Sequence, residues 1–494
     1  MNYFTRLKED NLFCFTLCLV TFFAVLMASL LPFVTTPWVD EVGTSDAAIA
    51  ILNGRAFHSH VWPYSYNPLH FFVLTIWLSL VGVSHFSVCA LNIVIHVITS
   101  LYLVALLRKW DFIKSKLTIL LLLSLLWGGF SLLGIVLNGR IDTLTLLTVI
   151  FLVDCLTREK CSYSLLFVSA FLTFGAAVYH LPPVIFGLGV LFLFPFAYLT
   201  RKEIFKRGFL VAFAFGLAFL SILIFYYFNQ SLLRFVNTYI SFSATASGKE
   251  RDLINEIIAA YTLEKEALFL FLVVFLTYLW SKHIRRSLHL PLLCLIGAFP
   301  LIMVLAGRYV AYYSWIFYLP SLLLFVFVYT KITSKKLLVL IPIFSFLFAL
   351  FVSVFYIIDS NKEHLRYQKI EQFVNSLNYS FIGRNVVFSN HKFYYFIINK
   401  NAIPWNRSDS IDLSPKEKFK SFVKKIAKTK EREDILMTLF DKIQYVDISF
   451  PNNGLILTST KNEFKALKSR LEQEDYHVEV LVSKDEFKLS SFSK

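Results

Sequence analysis

Charge is what this sequence has least of. Only 16% of its 494 residues are Asp, Glu, Lys or Arg, where an ordinary soluble domain carries about a quarter. With 57% apolar residues, 53 Phe and a mean hydropathy of +0.63, that scarcity excludes a disordered or fibrous chain. Cysteine is sparse as well. Five of the six (Cys14, Cys18, Cys89, Cys155 and Cys294) fall in apolar runs and Cys161 in a short basic loop. None has metal-ligand spacing, so neither a disulfide-stapled scaffold nor a cysteine metal site is indicated. No internal repeat is legible, and the only charge inside an apolar run is Asp154. Both absences argue against a solute or lipid transporter, which places ionisable groups at mid-membrane in repeated halves.

The charges that exist are unevenly spread. Residues 359–494 carry 23 Lys/Arg and 18 Asp/Glu, half of all the charges in the chain. The first 358 residues therefore read as a polytopic membrane domain and the last 136 as a soluble domain. A net charge of +15 invites a nucleic-acid reading. The basic residues instead form short clusters between apolar runs, where they orient helices, so no nucleic-acid partner is expected.

The run Asn11–Pro32 is too long for a signal-peptide core and reads as an uncleaved signal anchor. Further runs lie near 86–107, 117–137, 141–157, 163–179, 182–199, 208–228, 266–281, 288–306, 313–330 and 337–358, which makes eleven spans. With the N-terminus in the cytoplasm, 18 basic residues fall inside and seven outside before the tail, as the positive-inside rule requires. Pro68–Gly82 is also apolar, but counting it as a span would invert every later loop. It is placed in the first external loop, 34–85, as a re-entrant or interfacial helix. The tail then lies outside the cytoplasm.

The informative polar groups are those that serve no topological purpose. Asp40-Glu41 follow the first helix behind Pro37, and a carboxylate there can act as a general base toward an attacking hydroxyl, or simply cap the next helix. Asn138-Gly139-Arg140-Ile141-Asp142 offers a second external acid, which either caps a helix, positions an acceptor, or holds Arg140. Arg55, His180, Lys249, Arg251 and Arg308 are further external cations suited to phosphate. Two external acids can hold a divalent ion with waters, but no full ligand set is visible and the cofactor stays open.

The ordered series Trp38, Asp40-Glu41, Ala47-Ala48, Asn53-Gly54, Tyr66-Asn67-Pro68-Leu69-His70, Val81-Gly82-Val83-Ser84, Gly139-Arg140-Ile141-Asp142, Gly307-Arg308-Tyr309 and Tyr318-Leu319-Pro320 resembles the GT-C membrane glycosyltransferases, in particular the protein O-mannosyltransferase and aminoarabinose (lipid A) transferase branch. The resemblance spans about residues 20–330. It implies an all-α membrane domain of GT-C type, which the tail's own pattern of helices and strands follows with a small extracytoplasmic α/β domain. It makes Asp40 the essential carboxylate with Glu41 beside it, Asp142 a second acid, and the Pro68 segment a membrane-parallel helix. The implied donor is a sugar on a polyprenyl phosphate, and the acceptor a lipid, glycan or protein outside the cytoplasm. A base opposite the leaving phosphate gives inversion. The chain departs from the family at Phe86-Ser87-Val88-Cys89 and at Tyr179-His180, where members often carry Arg and Lys. An envelope-glycan polymerase or ligase is the remaining alternative.

In the tail, helices are predicted at 363–377, 416–430, 434–443 and 462–474. Strands are predicted at 385–389, 393–398, 445–449, 455–458 and 477–482. No catalytic motif is legible there.

Overall fold

The structure is a computed structural model that describes residues 11–54, 67–177, 201–235, 269–276, 314–406 and 452–494, with breaks of one or two residues inside these stretches, together with 430 and 434. In chain order the helices are α1 (Asn11–Val34), α2 (Val39–Leu52), α3 (Pro68–Val81), α4 (His85–Lys109), α5 (Lys116–Gly128), α6 (Phe130–Leu137), α7 (Asp142–Thr157), α8 (Tyr163–Ala177), α9 (Arg201–Phe228), α10 (Ser314–Tyr329) and α11 (Lys335–Ser376). The tail continues with β1 (Asn385–Phe388), a 3-10 turn His391–Phe393, α12 (Tyr394–Asn399), β2 (Ile403–Asn406), β3 (Asn453–Thr458), α13 (Lys461–Gln473), β4 (His477–Lys484) and β5 (Phe487–Ser493).

The chain divides into two compact units. The first holds residues 1–34, 89–219 and 243–359; the second holds 35–88, 220–242 and 360–494.

The described elements of the first unit are helices. Among the described residues, four helices are long and apolar enough to cross a membrane: Asn11–Phe33, His85–Lys109, Lys202–Phe228 and Lys335–Ser376. Large apolar side chains such as Phe205, Phe209, Phe344 and Phe351 face outward on α9 and α11. An aromatic core sits between α1, α4 and α5. Phe23 stacks on Trp127 with ring centroids 6.0 Å apart, and the indole N–H of Trp127 donates to Ser100 Oγ at 3.0 Å. The expected spans near 182–199 and 288–306 lie outside the described residues, and so does most of 266–281.

One expected span is broken. The run 117–137 forms two helices, α5 and α6, because Gly128 and Gly129 let neighbours in too close for a continuous packed surface. A Cβ on Gly129 would lie 2.5 Å from the Tyr318 hydroxyl oxygen, and one on Gly128 would overlap Ala349. Tyr318 Oη donates to Leu125 O at 2.8 Å, satisfying a carbonyl in the last turn of α5. At the other end, Ser115 Oγ caps α5 by accepting from Thr118 N at 3.2 Å.

In the second unit, α3 starts with Pro68 at its first turn and stops at Gly82, whose φ of +87° suits only glycine well. At 14 residues it is about 21 Å long, short of a bilayer core. It packs on α2, where Thr75 Oγ1 donates to Ala48 O at 3.4 Å.

The tail sheet has the order β2-β1-β3-β5-β4. β1 pairs in parallel with β2 on one side and β3 on the other, while β3–β5 and β5–β4 are antiparallel. The segment Phe393–Ile398, expected as a strand from its aromatic and β-branched residues, is instead the 3-10 turn end and α12. Its place decides this, since a crossover between the parallel strands β1 and β2 needs a helix or loop, and α12 buries Tyr394, Tyr395 and Ile397. Strands β2 and β5 were not expected. The helix expected at 363–377 is the continuation of the last apolar helix, since the 42-residue α11 runs on through Ser376. The elements expected at 445–449, and nearly all of 416–430 and 434–443, lie outside the described residues.

Candidate active site

The middle of helix α2 is buried on every side. Every residue from Glu41 to Ala50 is buried, so its acids need partners to offset desolvation. Glu41 is fully buried. Its Oε1 accepts a hydrogen bond from Tyr395 Oη at 2.6 Å and lies 2.7 Å from His85 Nδ1. Ser45, one turn along, lies 2.8 Å from the same Tyr395 oxygen. The single phenolic proton goes to Glu41, so Ser45 donates to Tyr395 and a chain Ser45–Tyr395–Glu41 results, each bond polarising the next. Asp46, 2% exposed, accepts from Tyr394 Oη at 2.9 Å. Burial first, then the Glu41 carboxylate, pushes the Tyr395 hydroxyl well above its ordinary pKa, which keeps it a donor. The His85 ring lies 5.7 Å from that of Tyr395 and 6.1 Å from that of Tyr367.

Asp40 is the second residue of α2 and precedes Glu41 in its first turn. A negative charge near a helix N-terminus is favoured by the helix dipole.

The first unit holds a separate polar group. Gly139, with φ +67°, turns the chain between α6 and α7. Arg140 Nε donates to Asp142 Oδ2 at 2.9 Å, with both side chains buried. Asn92 on α4 fixes this turn, donating through Nδ2 to Arg140 O at 2.8 Å while its Oδ1 accepts from Thr143 Oγ1 at 2.8 Å. Asp142 opens α7, so it both complements the helix dipole and holds Arg140.

Asp154, near the far end of α7, is neutralised by Lys109 Nζ at 2.9 Å from Oδ1 and Arg158 Nη2 at 2.5 Å from Oδ2, with Tyr102 Oη also donating to Oδ2. Arg207 Nη1 donates to Leu156 O and Arg158 O, capping the end of α7. This charge secures a helix end.

Of the residues expected from the sequence, Arg140 and Asp142 meet one another, Glu41 joins His85 and Tyr395, and Asp40 stands next to Glu41 on α2. Arg55, His180, Lys249, Arg251 and Arg308 lie outside the described residues. Among the described residues, no group of three or more His, Cys, Asp or Glu is placed to hold a metal ion. His85, Tyr394 and Tyr395 were not singled out from the sequence. His85 directly follows the Val81-Gly82-Val83-Ser84 turn, which was a usable signal. The tyrosines sit in a segment read as a strand and gave none.

Taken together, these elements make up the fold of the GT-C membrane glycosyltransferases. The crystal structure of ArnT from Cupriavidus metallidurans bound to undecaprenyl phosphate aligns with a TM-score of 0.56 at 11% identity, over 96% of this chain and 97% of that one. The same protein in the apo state aligns with a TM-score of 0.56 at 9% identity, over 96% and 97%. No family model and no curated protein sequence matches the chain. At these identities, the shared property is the fold.

Proposed function

We propose that this chain is a multi-pass membrane glycosyltransferase that moves a sugar from a polyprenyl-phosphate donor to an acceptor on the extracytoplasmic face. The acceptor is a hydroxyl or phosphate of a lipid, glycan or protein. In this reading residues 1–358 form the transmembrane domain, 359–494 the extracytoplasmic α/β domain, and the N-terminus is cytoplasmic. The observation that carries it is the coincidence of a GT-C fold over nearly the whole chain with an acidic pair, Asp40-Glu41, opening the buried helix behind α1. That one structure of similar fold holds undecaprenyl phosphate supports the donor class.

Asp40 takes the proton of the attacking acceptor oxygen. That oxygen forms a bond to the anomeric carbon as the bond from that carbon to the phosphate oxygen breaks, and polyprenyl phosphate leaves with the electron pair. A base and leaving group on opposite faces of the sugar invert the anomeric centre. Cations stabilise the phosphate as it departs. Arg140, held by Asp142, is one candidate, with Arg55, His180, Lys249, Arg251 and Arg308 as others.

The test is sugar transfer from synthetic polyprenyl-phosphate sugars to a panel of acceptors, by purified wild type and Asp40→Asn. The expected outcome is transfer by wild type and a loss of about a hundredfold or more in a folded Asp40→Asn. Equal rates would remove Asp40 from the chemistry. Absence of both transfer and undecaprenyl-phosphate binding in wild type would count against the donor class.

A further inference from the structure

The two tyrosines that reach α2 leave from a defined point of the tail sheet. β1 lies between β2 and β3, parallel to both, and the chain passes from β1 to β2 on one side before returning to β3 on the other. The carboxyl end of β1 is thus where the strand order reverses, the place at which open α/β sheets put their functional loops. The segment leaving it is the 3-10 turn and α12, which bear Tyr394 and Tyr395. Both rings are buried, and both hydroxyls end on acids of α2. Tyr395 Oη touches residues 41 and 45, four apart on one face of the helix, while Tyr394 takes the acid at 46. His85 meets the same Glu41 oxygen from the start of α4.

We propose that the C-terminal domain is part of the active site, with Tyr395 a positioning residue that, together with His85, fixes Glu41 and through it the first turn of α2 carrying Asp40. This rests on the glycosyltransferase reading for its catalytic consequence, but not for its structural one. Glu41, fully buried and bonded on Oε1 by two partners, serves as the fixed point of that turn, and Asp40 is the residue before it in the chain. A base held in place by its neighbour's bonds works at its full rate. Release of that neighbour costs turnover without costing donor affinity, because Tyr395 touches the protein and not the donor.

The experiment uses the full-length protein in detergent and the variants Tyr395→Phe, Glu41→Gln, the two combined, and Tyr476→Phe as a control elsewhere in the tail. The first readout is hydrogen exchange over residues 39–52, which needs no substrate. The proposal expects exchange there to rise about tenfold in Tyr395→Phe, with Tyr476→Phe unchanged. The second is transfer from a polyprenyl-phosphate sugar. The expected result is a kcat lower by about ten- to a hundredfold at unchanged donor KM, with Tyr395→Phe adding little to Glu41→Gln in a double-mutant cycle. Unchanged exchange over 39–52 overturns the proposal. Faster exchange with wild-type kcat overturns the positioning role. Faster exchange in a protein whose wild type neither transfers the sugar nor binds undecaprenyl phosphate upholds the anchoring of α2 and overturns the glycosyltransferase reading instead.

Discussion

Tyr395 and Glu41 stand 354 positions apart in the chain and share a hydrogen bond of 2.6 Å. The bond joins the tail to α2, the helix that follows the first apolar helix in the chain. Truncating or exchanging the tail therefore changes the surroundings of the first-loop acids, which sequence alone assigns wholly to the membrane domain. Other contacts lead to separate expectations.

The Arg140–Asp142 pair is buried on both sides, so breaking it from one side strands a charge. Arg140→Ala is expected to cost about 3–5 kcal/mol, and replacing both residues with apolar groups of similar volume much less. Thermal unfolding of the full chain in detergent checks the order. Equal losses for the single and double replacements would mean the pair is not the source of the stability.

At Gly128 an added methyl group meets Ala349. Gly128→Ala is expected to destabilise the helical unit by about 1–3 kcal/mol through overpacking, and Ala349→Gly to restore only part of the loss, because the added Cβ also lies 2.5 Å from the Ala349 Cα. The rescue separates close packing from any intrinsic helix preference, which favours alanine at that position.

The tail has an acid-sensitive latch. Burial alone would raise the Glu463 carboxyl, but hydrogen bonds from Ser459 and Ser389, with Arg366 nearby, hold it below its ordinary value of 4.5. A depressed folded pKa stabilises the tail above that ordinary value, and the contribution is lost as pH falls through the lower folded value. Hydrogen exchange in β3 and α13 is expected to speed up over that acid window in wild type. Glu463→Gln should remove this pH dependence.

Asp154 was legible as the one charge in an apolar run, and a transporter would use such a residue. Its pairing with Lys109 and Arg158 predicts that Asp154→Asn lowers the unfolding temperature while the transfer rate per folded molecule stays within about twofold, because a hydrogen-bonded charge at a helix end contributes about 1–3 kcal/mol to stability. A loss of transfer in a well-folded protein would contradict that assignment.

Long apolar runs made α1, α4, α9 and the start of α11 readable, since spanning length and hydropathy act locally. The break at Gly129 was not readable, because it depends on Tyr318 and Ala349, which lie far along the chain. Helix α2 was not given bounds from the sequence because a stretch buried throughout, as Glu41–Ala50 is, shows no polar-to-apolar period, and its Val, Gly, Thr and Ser are weak helix formers. The Phe393–Ile398 segment was misread for the opposite reason: its local preference for strand is strong, and the β1–β2 crossover overrides it. The Asp40-Glu41 and Arg140/Asp142 candidates came from the sequence because acids and arginines beside apolar runs are conspicuous. Tyr395 did not, since a tyrosine among aromatics carries no mark of a partner 354 residues earlier.

That separation has a consequence for how the protein comes into being. Synthesis proceeds from the N-terminus at about 5–20 residues per second, so α2 emerges roughly 20–70 s before the tyrosine that anchors it. For that interval Glu41 and Asp46 have no tail to receive them, and the acids of the first loop stay unassembled while the remaining helices enter the bilayer. A chain built in this order makes its contacts to α2 last, and a ribosome that stalls before residue 395 leaves Glu41 without the tyrosine that donates to it.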